Sequence, residues 1–161
     1  MIKKFNLFFV TFFYSGKIKF APGTFASLIT CVLFFFLSNI FSITIFFIAT
    51  LLIFFYSIIA INNISDKFTS KDPHEIVIDE VVGQMIPLLA IPIYETLYPT
   101  LILFYCIASF LLFRIFDIFK PFPINYIDQN ITGALGIMLD DIMAGIYVVI
   151  LLNFLFFFIG A

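Results

Sequence analysis

Long apolar stretches separated by short clusters of charged residues set the pattern of this chain. Residues 20–65 carry no charge at all. Those 46 positions are too many for one membrane crossing and suit two, joined at the polar break Ser38, Asn39 and Ser42. Residues 76–94 open with acids and are interrupted by Pro87 and Pro92, which predicts a short or kinked third helix. Residues 96–113 and 142–159 each supply 18 uncharged positions, enough for a fourth and a fifth. Ahead of all of these, Lys3 and Lys4 precede an apolar run at 5–14. That run imitates a signal peptide but is expected to be retained. It is too short to cross about 30 Å of hydrocarbon and suits a helix lying in the interface, held by Lys3, Lys4, Lys17 and Lys19. The expected fold is all-α: one domain over 1–161, a polytopic membrane bundle of about five membrane-crossing or membrane-embedded helices behind an N-terminal interfacial segment.

Composition sharpens this picture. Of 161 residues, 63% are hydrophobic, 26 are Phe and 11% are charged, less than half the charge of a soluble globular chain. Eighteen charged side chains cannot cover the surface of so small a body, so a water-soluble monomer is excluded. The net charge is −2 with the basic residues scattered, which excludes the cationic stripe that grips nucleic acid. Cys31 and Cys106 lie in apolar runs without metal-ligand neighbours and read as small buried hydrophobes.

The charges also assign sides. Lys3, Lys4, Lys17 and Lys19 precede the first span, Lys67 and Lys71 separate the second from the third, and Arg114 and Lys120 close the fourth. The opposite loops contain no Lys or Arg, while Tyr94 and Tyr98 suit that far interface. The N-terminus is therefore expected in the cytoplasm and the C-terminus outside. Every acid except Glu95 belongs to the same cytoplasmic segments or the first turns leaving them. An ionised side chain facing lipid near mid-membrane costs roughly 2.5–3.5 kcal/mol on insertion scales, so these acids should face protein, water or a ligand.

Four segments carry the candidate chemistry. In DPHEIVIDEVVG (72–83), Asp72, Glu75 and Asp79 share one helical face and Glu80 points about 100° away. Favouring the helix dipole explains part of this, but two adjacent carboxylates exceed what a cap needs, and hard oxygen ligands suit Mg²⁺ or Mn²⁺. His74, the sole histidine, reads as surface polarity after Pro73. In GALGIMLDDIMAG (133–145), Asp140 and Asp141 repeat the pair, an arrangement that repels itself unless a cation or proton intervenes. Small residues Gly133, Gly136, Ala144 and Gly145 there permit close helix approach. The two pairs faintly echo each other, each followed by a glycine. In FRIFDIFKPFPI (113–124), Arg114, Asp117 and Lys120 recur every three residues; this is either a cationic helix C-terminus stopped by Pro121 or an anion site suited to phosphate. In FAPGTFAS (20–27), Pro22 and Gly23 make a turn and Thr24 or Ser27 caps a helix whose first amides could also bind an anion. Together these residues equip one membrane face for metal-assisted phosphoryl chemistry on a lipid headgroup.

PGTFAS, IVIDEVVG, FRIFDIFKPFPI and GIMLDDIMAG, in this order, resemble the phosphatidylglycerophosphatase A family over roughly residues 21–145. The resemblance implies Mg²⁺-dependent hydrolysis of phosphatidylglycerophosphate to phosphatidylglycerol and inorganic phosphate in phospholipid biosynthesis, in a bacterial cytoplasmic (inner) membrane. By position it singles out Thr24 and Ser27; Asp72, Asp79 and Glu80; Arg114, Asp117 and Lys120; and Asp140 and Asp141. His74 and Glu75 fall outside the pattern, and Ala26 and Ala134 stand where glycine is expected. The roles expected are Mg²⁺ held by Asp79, Glu80, Asp140 and Asp141, with Asp79 and Asp140 indispensable to turnover, phosphate bound by Arg114, Lys120, Thr24 and Ser27, and Asp72 in support. Asp117 is either a base or the holder of Arg114 and Lys120, and attack by water is favoured over a phospho-aspartate. A small ion-coupled transporter is the rival reading, which predicts charges spread through the membrane depth; a non-catalytic membrane subunit is another, which predicts dispensable acids. The oligomeric state is left open.

Overall fold

The structure, a computed structural model, describes residues 1–65, 73–91 and 102–158. Asp72, Tyr94, Glu95 and Tyr98 lie outside the described residues. The described part is all-helical: α1 (Ile2–Val10), a 3₁₀ turn (Ser15–Lys17), α2 (Pro22–Leu37), α3 (Ile43–Ile64), α4 (Ile78–Leu89), α5 (Ile102–Phe119), α6 (Ile124–Asn130) and α7 (Ala134–Phe158). Among the described residues, three segments are long and apolar enough to cross a membrane: Ile43–Ile64, Ile102–Phe119 and Ala134–Leu155. The 16 residues of α2 reach about 24 Å and the 12 of α4 about 18 Å, so these two are embedded without the full length of a span.

The interfacial helix, expected over 5–14, is Ile2–Val10 and gives way to left-handed backbone at Phe12, Phe13 and Tyr14, and two boundaries beside the site also differ from the sequence reading. The fourth helix was expected over 96–113 but runs on to Phe119, because Arg114 and Asp117 pair with each other and can stay on a helix without facing lipid. The fifth was expected from residue 142 but begins at Ala134, since Ala134, Ile137 and Met138 already pack into the core. Asp140 and Asp141 consequently sit in the second turn of a helix rather than at its mouth.

The bundle is organised around α4, which packs against α2, α3, α5 and α7. Buried residues cover it on nearly every side: Ile78, Val81, Val82, Met85 and Leu88 among the apolar ones, with Asp79 and Gln84. The outer helices present Phe36, Phe47, Leu52, Phe55, Phe104 and Ile150 outwards, the surface expected of helices solvated by lipid. Helix α1 lies against α3, with the Tyr56 hydroxyl donating to Asn6 Oδ1 at 2.9 Å and the Phe9 ring edge-on to Tyr56 at 4.8 Å. The chain leaving α1 is pinned to the approach of α4 by Val77 N–H donating to the Val10 carbonyl at 3.0 Å.

Helices α4 and α7 cross closely, and glycine makes it possible. A Cβ on Gly83 would stand 2.7 Å from the Asp141 carbonyl oxygen and 2.8 Å from the Phe113 ring. A Cβ on Gly145 would collide with the Gly83 carbonyl. Gly83 lies one turn beyond Asp79 and Glu80, and Gly145 one turn beyond Asp141, so the same crossing that joins the backbones brings the acids face to face.

Candidate active site

Four chain segments converge on one polar cavity of about 230 Å³. The turn into α2 contributes Ala21, Pro22 and Gly23, the approach and first turn of α4 contribute His74, Ile76, Asp79 and Glu80, the end of α5 contributes Arg114, Asp117 and Lys120, and α7 contributes Asp140 and Asp141. Two residues at its rim hold left-handed backbone without being glycine, Ala21 with φ 47° and Lys120 with φ 42°. Such conformations persist where surrounding contacts over-determine them, and they cluster at functional sites. Lys120 is held in this way: its Nζ donates to Asp140 Oδ2 at 2.6 Å and to Asp128 Oδ1 at 2.9 Å.

The charges sort into two groups. Carboxylate oxygens of Asp79, Glu80 and Asp141 all lie within 4.8 Å of one another. Glu80 Oε2 and Asp141 Oδ2 are buried without a hydrogen-bond partner among the described residues. Three acids at this spacing cannot all be ionised in a low-dielectric site unless a cation joins them. Their oxygens are the donors a hard divalent ion takes, and Mg²⁺ commonly binds through few carboxylates together with phosphate oxygens. The residues present therefore fit Mg²⁺. Asp140, expected in the same set, turns the other way: one oxygen holds Lys120 and the other accepts the Asp141 N–H at 3.1 Å.

The second group is cationic. Arg114 Nη1 forms ion pairs with Asp117 Oδ2 at 2.5 Å and Glu80 Oε1 at 3.9 Å, and Arg114 Nε is buried without a hydrogen-bond partner among the described residues. A guanidinium in this state keeps donors for a further anion. Gly23 leaves room for this pair, because a Cβ there would overlap the Glu80 carboxylate and stand 3.3 Å from Arg114 Nη1. For Lys120, burial alone would lower its hold on the proton. The hydrogen bonds and charges of Asp140 and Asp128 outweigh that, and the ammonium stays above the ordinary lysine value.

The structure thus brings Asp79, Glu80, Arg114, Asp117, Lys120, Asp140 and Asp141 together. Thr24 and Ser27 are not among the cavity-lining residues; the Ser27 hydroxyl is buried and donates to its own helix at the Gly23 carbonyl, 2.9 Å away. His74, set aside on sequence grounds, lines the cavity from an exposed position. Asp128 was read only as one more cytoplasmic acid, and no spacing rule links it to Lys120 across the turn into α6.

An all-helical bundle with three segments able to cross a membrane, and with paired acids and cations gathered in one cavity, defines a polytopic membrane protein with the equipment of a phosphatase. The chain belongs to the phosphatidylglycerophosphatase A family, which it matches over residues 8–156. It is 41% identical over 138 residues to the phosphatidylglycerophosphatase A of Haemophilus influenzae, covering 86% of this chain and 80% of that one. A Bacteroides thetaiotaomicron protein provisionally named phosphatidylinositol-3-phosphatase is 40% identical over 147 residues, 88% of this chain and 87% of the relative. The Escherichia coli phosphatidylglycerophosphatase A is 41% identical over 75 residues, 47% of this chain and 40% of that one. No solved structure matches the chain. The family makes the protein a phosphatase that works on a membrane lipid.

Proposed function

We propose that the protein removes the terminal phosphoryl group of phosphatidylglycerophosphate, with Mg²⁺ bound, on the cytoplasmic face of the bacterial inner membrane. What supports this is the split within one cavity between the carboxylates of Asp79, Glu80 and Asp141, whose oxygens lie within 4.8 Å of one another, and the guanidinium of Arg114, whose buried Nε has no hydrogen-bond partner among the described residues. Asp79, Glu80 and Asp141 hold the metal; Asp140, first expected among its ligands, serves Lys120. When bound, Mg²⁺ supplies positive charge against the phosphoryl oxygens.

The chain's own residues do the rest. Arg114 and Lys120 bind the phosphate oxygens, and Asp117 orients Arg114. Water attacks phosphorus, forming a new P–O bond as the ester P–O bond to the glycerol breaks. A carboxylate of the cavity takes the proton from the attacking water, the departing glycerol alkoxide takes a proton from solvent water, and the carboxylic acid returns its own to the hydroxide so formed, which balances the step. Charge neutralisation supplies much of the barrier reduction that a phosphate monoester requires. The cytoplasmic placement rests on the Lys and Arg distribution, and a reporter fused after Ala161 should be active only outside; activity in the cytoplasm would change the number of crossings by one.

The test is phosphate release by the purified protein in vesicles containing phosphatidylglycerophosphate, with Mg²⁺ or with a chelator. Release that requires the metal is expected. Full turnover with the chelator would remove the metal, and no release under any metal would remove the substrate. A parallel arm with phosphatidylinositol 3-phosphate answers the name of the Bacteroides relative.

A further inference from the structure

A second concavity, of about 350 Å³, lies between α2 and α5 on the lipid-facing side of the bundle. Its edges are two stripes at four-residue spacing, Leu28, Val32 and Phe36 on α2 and Leu103, Ile107 and Leu111 on α5, all six exposed. Between these rails the buried Cys31 and Cys106 make the floor. A thiol is short, so two facing cysteines leave a trough where leucine or phenylalanine would fill the seam. Each rail runs over nine residues, a rise of about 12 Å along its helix.

The position of the trough is informative. The first turn of α2 reaches the polar cavity with Gly23, and the last turns of α5 reach it with Arg114 and Asp117. Leu28 lies five residues beyond Gly23 and Leu111 three residues before Arg114, so the near end of the trough is within about 5–8 Å of rise of the phosphate-binding groups. From there it runs away from the cavity along the two antiparallel helices. A molecule with a phosphate at one end and a hydrocarbon tail beginning a few atoms later has this layout.

We infer that the α2–α5 trough seats one acyl chain of the lipid whose phosphate enters the polar cavity. This rests on the lipid-phosphatase reading above. The trough gains nothing from the hydrophobic effect, since the chain leaves an equally apolar bilayer. It acts by position: a chain lying between the rails fixes the depth and heading of the headgroup, and misplacement by about 1 Å at a reacting phosphate is worth up to roughly 10²-fold in rate.

The experiment uses full-length protein in phosphatidylcholine vesicles containing a little phosphatidic acid with a photoreactive diazirine in one acyl chain. Peptide mapping compares labelling of the rails with labelling of Phe47, Leu52 and Phe55 on the outer face of α3. Rail labelling should exceed that of α3 at least fivefold and fall to the α3 level when unlabelled phosphatidylglycerophosphate is in excess. Val32→Trp, which fills the trough from an exposed position, should lower rail labelling and kcat/KM about tenfold, whereas Phe47→Trp should change neither. Rail labelling equal to that of α3, or indifferent to every phosphate lipid added, marks ordinary boundary lipid and overturns the inference. Absence of rail labelling, which marks a surface covered by protein, overturns it too. Competition by unlabelled phosphatidic acid but not by phosphatidylglycerophosphate would keep the trough and remove the proposed substrate.

Discussion

Gly83→Ala isolates the geometry on which the acidic group depends. The new methyl would stand 2.7 Å from the Asp141 carbonyl oxygen and 2.8 Å from Phe113 Cε2. An ordinary contact begins near 3.4 Å, so α4 and α7 must separate by about 0.7 Å, and neither obstacle is a flexible side-chain end. Overpacking of this kind destabilises by about 1–3 kcal/mol. Alanine in place of glycine returns up to about 1 kcal/mol of helix propensity, so the net loss of stability is small, about 0–2 kcal/mol. On the proposed metal set the chemistry is affected more, because Asp141 would supply one ligand oxygen and Glu80 and Asp79 the others, one turn from the wedge. Displacement approaching 1 Å should lower kcat by ten- to a hundredfold. The assay is phosphate release under saturating Mg²⁺, paired with a thermal melt of the detergent-solubilised protein. Wild-type kcat in a folded Gly83→Ala protein would refute the claim that the glycine crossing sets the spacing of the acids.

Asp79→Asn and Asp141→Asn should each lower turnover at least 10³-fold while leaving membrane insertion intact, and wild-type turnover in either removes it from the metal set. Arg114→Lys keeps the charge but loses the fork, so kcat/KM should fall at least tenfold; parity with wild type would mean that the guanidinium does not bind phosphate. Asp128→Asn removes the more exposed of the two partners of Lys120, an interaction of about 0.2–1 kcal/mol, so kcat/KM should fall only about two- to fivefold, and Glu should restore it. Its pH profile should keep the wild-type shape below about pH 9. Losing one anion lowers the proton affinity of Lys120 from a starting point above the ordinary value, and Asp140 still holds the ammonium charged. A new alkaline limb below that pH would refute the claim that Asp140 alone keeps the ammonium charged.

The acids and cations that meet in the cavity were legible because each breaks an apolar run at a membrane boundary, where an unpaired charge is expensive. The long apolar stretches gave the helices for the same reason. Helix ends were less legible: Arg114 and Asp117 look like the edge of the membrane until their mutual pairing is seen, and Ala134 to Leu139 look like a loop approach until α4 covers them. Roles within the cavity depend on direction, which spacing alone does not supply. Adjacent Asp140 and Asp141 point to different partners, whereas adjacent Asp79 and Glu80 meet in one cluster, so the roughly 100° step of a helix allows either outcome. Ser27 read as a phosphate ligand, yet a serine inside a helix turns readily to the carbonyl four residues back, and this one does.

Because α4 is wrapped by four neighbours, it is screened from the hydrocarbon that surrounds the bundle. A bilayer that thins, thickens or changes its tail composition tilts and loads the outer helices first. Asp79 and Glu80 therefore stand on the sheltered half of the cavity, while Arg114, Lys120 and Asp141 stand on the half that the surrounding lipid can move.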